Sequence, residues 1–373
     1  MPASKKYPDM WRNWLTQKAL PLWSREGFNA GRSLFHERLS WEAAPIELPN
    51  LRLMVQARQI ATYCRAEVDG LFNAGDKALK CLHTIEQLYW KRDHKPGWIF
   101  SIDQNNQPAD TTRDLYAHAF ILYAYAWAYK LTQDPKYKNN AKEIFLETIS
   151  LFSSNNGGFV DTIPEINEVR SQNPHMHLLE AFLALYETTQ EQEYLLHASG
   201  LIKLAQNYFI QNDTYFLLEF FKKDLTPQKN KGENRVEPGH MFEWSWLFKE
   251  YLRLSPEPTN HDITEYLANA LQEKAIVHGV ESGNVLDAIN DSGQVIEKSV
   301  RVWPQTEYLR LINLTNSHKL IEESDQVLLK KFLQPNLNGG WIDRIRTDGT
   351  AISDHMPASS LYHIYSAARE RIL

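Results

Sequence analysis

An all-α chain of twelve helices arranged as six helical hairpins is what the sequence predicts. Three observations carry the expectation. Helical periodicity recurs from end to end, segments apolar on nearly every face alternate with amphipathic ones, and residues of similar chemistry return about every 60 positions. The composition agrees, because 43% hydrophobic and 12% aromatic residues across 373 positions can fill a large core.

The expected helices cover 7–23, 49–68, 70–91, 111–132, 135–153, 174–189, 191–209, 238–254, 260–278, 302–315, 321–333 and 357–371. Several have chemical starts. Pro49-Asn50, Asp134-Pro135, Asn173-Pro174 and Pro357 put proline where a first turn loses no hydrogen bond. The second helix is inner-type, with Arg52 and Arg58 on an otherwise apolar stretch. A buried arginine needs an anion or a strong acceptor, so each is either a substrate contact or half of a salt bridge. Asp114 to Leu131 is apolar or small on almost every face and reads as a helix buried on most sides. In Pro135 to Phe152 one stripe carries Tyr137, Ala141, Ile144, Phe145 and Ile149, with polar residues opposite, as on an outer helix. The alternation continues through Met176–Tyr186, Glu191–Tyr208, Met241–Leu254 and Tyr266–Val277.

The links before the inner-type helices resemble one another: Gly97–Phe100, Gly157–Asp161, Tyr215–Phe221, Gly283–Asp287 and Gly339–Asp343. Each runs apolar or alternating, then turns, so a small hairpin is expected at one end of the assembly. Arg58, His118, His177, His240, Trp303 and His363 follow one another at intervals of 60, 59, 63, 63 and 60 residues. If the hairpins close into a ring, these residues converge on one axial pocket. An open solenoid that binds a protein on its concave face is the structural alternative.

Charge and cysteine usage exclude several functions. Forty basic against 46 acidic residues give a formal charge of -6, which disfavours nucleic-acid binding. Cys64 and Cys81 read as reduced core residues of a cytoplasmic protein. The N-terminal MPASKKYPDMWRNW lacks the apolar region of a secretory signal, and Ala117–Tyr129 is shorter than the roughly 20 residues of a membrane span.

The densest chemistry lies in Arg235–Trp246 (RVEPGHMFEWSW), where Pro238 opens a helix, Gly239 permits close approach, and His240 and Glu243 share a face one turn apart. A neighbouring carboxylate can fix an imidazole tautomer, raise its basicity or relay protons. Asn173–Glu180 repeats the relation with His177 and Glu180, while His175 falls on another face. His363 sits in the first two turns after Pro357, and His355 lies in the approach loop. Trp303 offers a flat face for the C–H side of a sugar, with Glu307 four residues away. The plainer readings are helix caps, hydrogen-bonded core histidines and surface ion pairs. The two H-x-x-E pairs could also enter a dinuclear metal site, yet there is no HExxH, cysteine set or EF-hand loop, and no metal is expected. No glycine motif for a nucleotide is present, so no cofactor is expected either.

At LRLMVQARQI (51–60), NPHMHLLEA (173–181), RVEPGHMFEW (235–244), RVWPQTE (301–307) and MPASSLYH (356–363) the chain resembles the N-acylglucosamine 2-epimerase superfamily. The likeness leans to its mannose isomerase and sulfoquinovose isomerase branch and runs nearly the full length. It implies an (α/α)6 barrel occupying residues 1–373 as one catalytic domain, with neither redox cofactor nor catalytic metal. Arg58 resembles the family's sugar-contacting arginine, and His177, His240 and His363 its site histidines, with Glu243 the carboxylate beside the second. Arg235, Trp303 and Glu307 match positions lining or supporting the pocket, and Tyr116 and His118 match the neighbourhood of further substrate contacts. Glu180 is expected to contact substrate with His177.

The implied reaction opens an aldose ring, removes the C2 proton, and returns a proton at C1 through a cis-enediolate. His240 and His363 are the expected proton-transfer pair, with His363 the C2 base, His177 in ring opening and Glu243 orienting His240. The expected substrate is a small unphosphorylated monosaccharide, D-mannose giving D-fructose. Alternatives are a sugar 2-epimerase, a sulfoquinovose isomerase, a glycoside hydrolase or lyase using two carboxylates, and a non-enzymatic binding protein. The oligomeric state is not legible.

Overall fold

A computed structural model describes residues 3–255, 261–315 and 317–373. Among them are twelve helical rods. The first, α1, is Ala3–Trp14, continued by a π turn over Leu15–Ala19 and by Leu20–Arg25. Next come α2 (Leu53–Val68), α3 (Gly75–Tyr89), α4 (Leu115–Thr132), α5 (Pro135–Phe152) and α6 (Asn173–Thr189). They are followed by α7 (Gln192–Leu204), α8 (Pro238–Leu254), α9 (His261–Gly279), α10 (Val302–Ile312), α11 (His318–Val327) and α12 (Leu361–Ile372). The start expected at 260 lies outside the described residues.

Even-numbered helices form the inner ring: α2 packs on α4, α4 on α6, α6 on α8, α8 on α10, α10 on α12, and α12 on α2. The ring is closed, which replaces the open solenoid with an (α/α)6 toroid. Five outer helices back the inner helix that precedes them, and α1 backs α12, so the two ends of the chain complete the sixth pair. Burial explains the alternation seen in the sequence. From Leu115 to Ala128, only Tyr116 on α4 is not fully buried, so the helix needs no polar face. On α5 the buried set is Ala141, Ile144, Phe145, Thr148 and Phe152, a single stripe.

The links do more than form local hairpins. The strand leading into each inner helix pairs antiparallel with a neighbouring unit: Asn50–Arg52 with Ser101–Asp103, Arg113–Asp114 with Thr162–Ile163, and Arg170–Ser171 with Phe220–Phe221. The series continues with Arg235–Val236 on Ala288–Asn290, Val300–Arg301 on Arg344–Ile345, and Arg38–Ser40 on His355–Pro357. Six small ladders therefore stitch the units together around the N-terminal ends of the inner helices.

These ladders also correct the expected helix starts. Pro49-Asn50 and Pro357 do not open helices, because Asn50–Arg52 and His355–Pro357 are held extended by their partners. For the same reason α4 begins at Leu115 rather than 111. Pro135, Pro174 and Pro238 do sit in first turns as expected. Cys64 and Cys81 are buried and free. No helix among the described residues is long and apolar enough to cross a membrane.

Candidate active site

The N-terminal turns of all six inner helices meet around a cavity of about 390 Å³. Arg58, Tyr116, His177, His240, Glu243, Trp303 and His363 line it, together with Ser171, Asn173, Glu219, Glu237, Arg301 and Ser359 from helix starts and links.

Three histidines there carry a carboxylate on Nδ1. His240 Nδ1 lies 3.0 Å from both oxygens of Glu219, His363 Nδ1 2.7 Å from Glu307, and His177 Nδ1 3.4 Å from Glu180. Each arrangement leaves Nε2 as the second ring nitrogen, and such a partner fixes the tautomer. The Trp303 indole lies against two of these rings, 4.9 Å from His240 and 5.5 Å from His363 between ring centres. The close approach needs Gly239, since a Cβ there would fall 2.7 Å from the indole.

Electrostatics divide the pair. Burial pulls the His240 pKa down, but the Glu219 carboxylate outweighs it and leaves His240 above its ordinary value. Burial, with Arg58 adding to it, holds His363 well below the ordinary value. Burial also takes His177 down to about 3 and raises Glu307 to about 7. Loss of water disfavours charge on either member of the Glu307–His363 couple, so burial favours the neutral form of each.

Glu243 is the centre of a buried acidic group. Burial, then Glu307 and Glu180, push its pKa well above the carboxylate range, and neither oxygen has a protein hydrogen bond. Glu180 is held low instead, at about 2: burial works against ionisation there, and His177 and Arg310 overcome it. Donor atoms of His177, Glu180 and Glu243, and of Glu243, Glu307 and His363, each lie within 4.8 Å of one another and are the residues that could hold a metal. A metal ion there would meet Arg310, whose guanidinium is 3.4 Å from Glu307 and 3.8 Å from Glu180.

Arg58 is buried, donates to the Tyr116 hydroxyl and the Ser359 carbonyl, and lies over Phe120 with 4.3 Å to the ring centre. Arg52 is not on the helix as expected; it precedes α2 and pairs with Glu37.

Four expectations need correction. His118 does not reach the cavity. It is fully buried, its Nδ1 donates to the Asp114 carbonyl, and its Nε2 accepts the Trp98 N–H, clamping a link to α4. Burial takes its pKa to about 4. Tyr116, two residues earlier, faces the cavity in its place. Arg235 lies outside the lining, paired with Glu237 and Glu297. Glu180 and Glu307 sit behind the lining, holding histidines. Glu243 does not orient His240; Glu219 does, and Glu243 lies 3.8 Å from His177 instead.

Glu219, Glu237, Arg301, Arg310 and Tyr362 were not assigned roles from the sequence. Glu219 is the one charge in YFLLEFF and Arg310 the one cation in YLRLI, so a lone charge in an apolar run was the available signal. Arg301 bridges Asp287 and Glu237, and the Tyr362 hydroxyl donates to Glu180.

Residues 34–367 match the family model of N-acylglucosamine 2-epimerase (GlcNAc 2-epimerase). The chain is 29% identical to a mannose-6-phosphate isomerase of Rhizobium meliloti (strain 1021) over 96% of its own length and 94% of the relative's. It is 22% identical to a cellobiose 2-epimerase of Bacteroides fragilis over 91% of each. A solved structure of D-mannose isomerase superposes with a TM-score of 0.86 at 18% identity, covering 100% of this chain and 99% of that one, which shows the shared fold. The named relatives include both isomerases and 2-epimerases.

Proposed function

The chain belongs to the N-acylglucosamine 2-epimerase family, and from that premise we propose that it moves the C2 proton of an unphosphorylated aldose through a cis-enediolate. The observation that carries the proposal is the opposed tuning of His240 and His363 beside one indole. Groups whose environments push their pKa values apart suit an acid and a base of one reaction. His363, kept unprotonated, takes the C2 proton; His240, kept protonated by Glu219, supplies a proton to the sugar oxygen or carbon. Trp303 carries the C–H face of the sugar, and Arg58 with Tyr116 binds the oxygen that gains charge. His177, backed by Glu180, assists ring opening.

The lining charges favour an unphosphorylated substrate. Arg301 is already held by Asp287 and Glu237, while Glu219, Glu237 and Asp343 would repel a phosphate dianion. Returning the proton to C1 makes a ketose, and returning it to the opposite face of C2 makes an epimer. Interconversion of D-mannose and D-fructose is one reading, although the relatives, several of them cellobiose 2-epimerases, lend more support to 2-epimerisation.

One observation favours 2-epimerisation of a larger sugar as the second. A neighbouring cavity of about 470 Å³ shares Tyr116, Ser171, Asn173 and Phe220 with the first, giving room for another ring. Incubating the protein with D-mannose and with cellobiose, and following both by proton NMR, separates the readings. Fructose from mannose supports the first, an epimerised disaccharide the second, and inertness toward both contradicts these two readings. Residues 1–373 are taken as one catalytic unit, and the free buried cysteines fit a cytoplasmic setting.

A further inference from the structure

A separate cavity of about 240 Å³ adjoins the ladder of Val300–Arg301 and Arg344–Ile345 and shares no lining residue with the candidate active site. Lys298, Lys331 and Arg346 line it, and all three are exposed. Their contacts are with neutral groups. Lys331 Nζ lies 2.7 Å from the Asn284 amide oxygen, and Arg346 donates to the Thr350 hydroxyl. Among the described residues none of the three forms an ion pair, whereas the arginines of the ladder itself are neutralised. Arg301 pairs with Asp287 and Glu237, and Arg344 with Asp287 and Glu297. Among the described lining residues Glu281 is the one carboxylate, and buried Leu286, Val300 and Ile345 supply an apolar wall.

We infer that this cavity binds a phosphate dianion, free or as the monoester of a small sugar, through Lys298, Lys331 and Arg346. Three cations against one carboxylate leave a surplus of two positive charges, in a chain whose formal charge is -6. A phosphoryl group carries about -1.5 to -2 at neutral pH and matches that surplus, where a single carboxylate would cancel half of it. The two lysines act as point charges, and the planar guanidinium of Arg346 can engage two phosphate oxygens at once. Ser282 and Thr347, also in the lining, can donate hydroxyl hydrogens to the oxygens that remain. The volume admits a small sugar beside the phosphate, with its C–H side on the wall of Leu286, Val300 and Ile345. The inference goes beyond the proton-transfer reading and does not depend on it. Carboxylates line the catalytic cavity and disfavour phosphate there, so the two cavities select opposite ligands.

The test is a ³¹P NMR titration of full-length protein, with inorganic phosphate in one arm and mannose 6-phosphate in the other. Wild type is compared with Lys298→Gln, Lys331→Gln, Arg346→Gln and the triple variant. Lys319→Gln, an exposed lysine of α11 outside the cavity, is the control for general charge. Saturable binding is expected in the wild type. Each single substitution should weaken it about threefold or more, the triple variant should abolish it, and Lys319→Gln should leave it unchanged. Tighter binding of the sugar phosphate supports the inference and assigns the monoester as ligand; equal affinity for both probes supports it and assigns the free anion. No saturable binding of either probe up to about 10 mM overturns the inference, and so does wild-type affinity in the triple variant. Should the triple variant not fold, the three single variants decide by the same criterion. The titrations need no turnover, so a protein inert toward every sugar sinks the reaction reading and leaves this test standing.

Discussion

His240 and Glu219 lie 21 residues apart in the chain, yet the Nδ1 of one sits 3.0 Å from both carboxylate oxygens of the other. Glu219 belongs to the link before α8, next to Phe220-Phe221, which pairs with Arg170–Ser171. The ladder that stitches two units together thus also delivers the carboxylate that raises the proton affinity of a site histidine.

Glu219→Gln keeps the shape and removes the charge. His240 then faces burial without its main compensation, and its pKa drops. The expected result is a loss of about 10²-fold or more in kcat at neutral pH, with the high-pH limb of the profile moved to lower pH. A kcat–pH profile of wild type against Glu219→Gln checks this.

His118 and Tyr116 should behave oppositely. His118→Ala leaves the Trp98 N–H without its acceptor and should cost about 1–3 kcal/mol of stability while KM and kcat are retained. Tyr116→Phe removes the hydroxyl that Arg58 contacts and should change KM and kcat with little change in Tm. Denaturant melts paired with steady-state kinetics distinguish them.

Gly239→Ala tests the packing of the indole. The added methyl must displace Trp303, at a cost of about 1–3 kcal/mol for overpacking, and the displaced indole lowers kcat/KM. Unchanged kinetics would mean that the position of Trp303 does not matter to the reaction.

The buried histidines with lowered pKa values should each cost stability on mild acidification. His118, His175 and His177 are fully buried, and burial takes their pKa values to about 4, 3 and 3. Their folded values lie below the ordinary value of about 6.5, so their contribution is complete above that pH and is lost progressively as pH falls toward the folded values. His240 acts the other way: its pKa is raised, and its contribution is present below about 6.5 and lost as pH rises through the folded value. His363, also held well below the ordinary value, adds to the acid-side loss, while Glu307 and Glu243, whose values burial raises, oppose it by taking up protons in the folded state first. Chemical denaturation between about pH 7 and 5 isolates the histidine share, because the wild type should lose stability relative to His118→Gln as pH falls.

Much of this architecture was legible because it is periodic. Apolar residues on every face of Asp114 to Leu131 mean burial all round, and the polar side of Pro135 to Phe152 means an outer helix. Local patterning cannot report ring closure, which depends on α12 meeting α2 and α1. Site residues within one helix turn, such as His177 with Glu180, were visible together. Partners brought in by a different unit, Glu219 for His240 and Arg310 for Glu180, were not. The misplacement of His118 has a local cause: a strand occupies Arg113–Asp114, and the later helix start turns Tyr116 to the cavity.

The most direct test of the account is to incubate EDTA-treated protein with D-mannose in deuterated water and follow it by NMR, alongside His240→Ala and His363→Ala. The account predicts a ketose or a 2-epimer from the wild type, and a loss of about 10²-fold or more in each folded variant. Turnover in His363→Ala at the wild-type rate, or inertness of the wild type toward mannose, N-acetylmannosamine, cellobiose and sulfoquinovose alike, would contradict it.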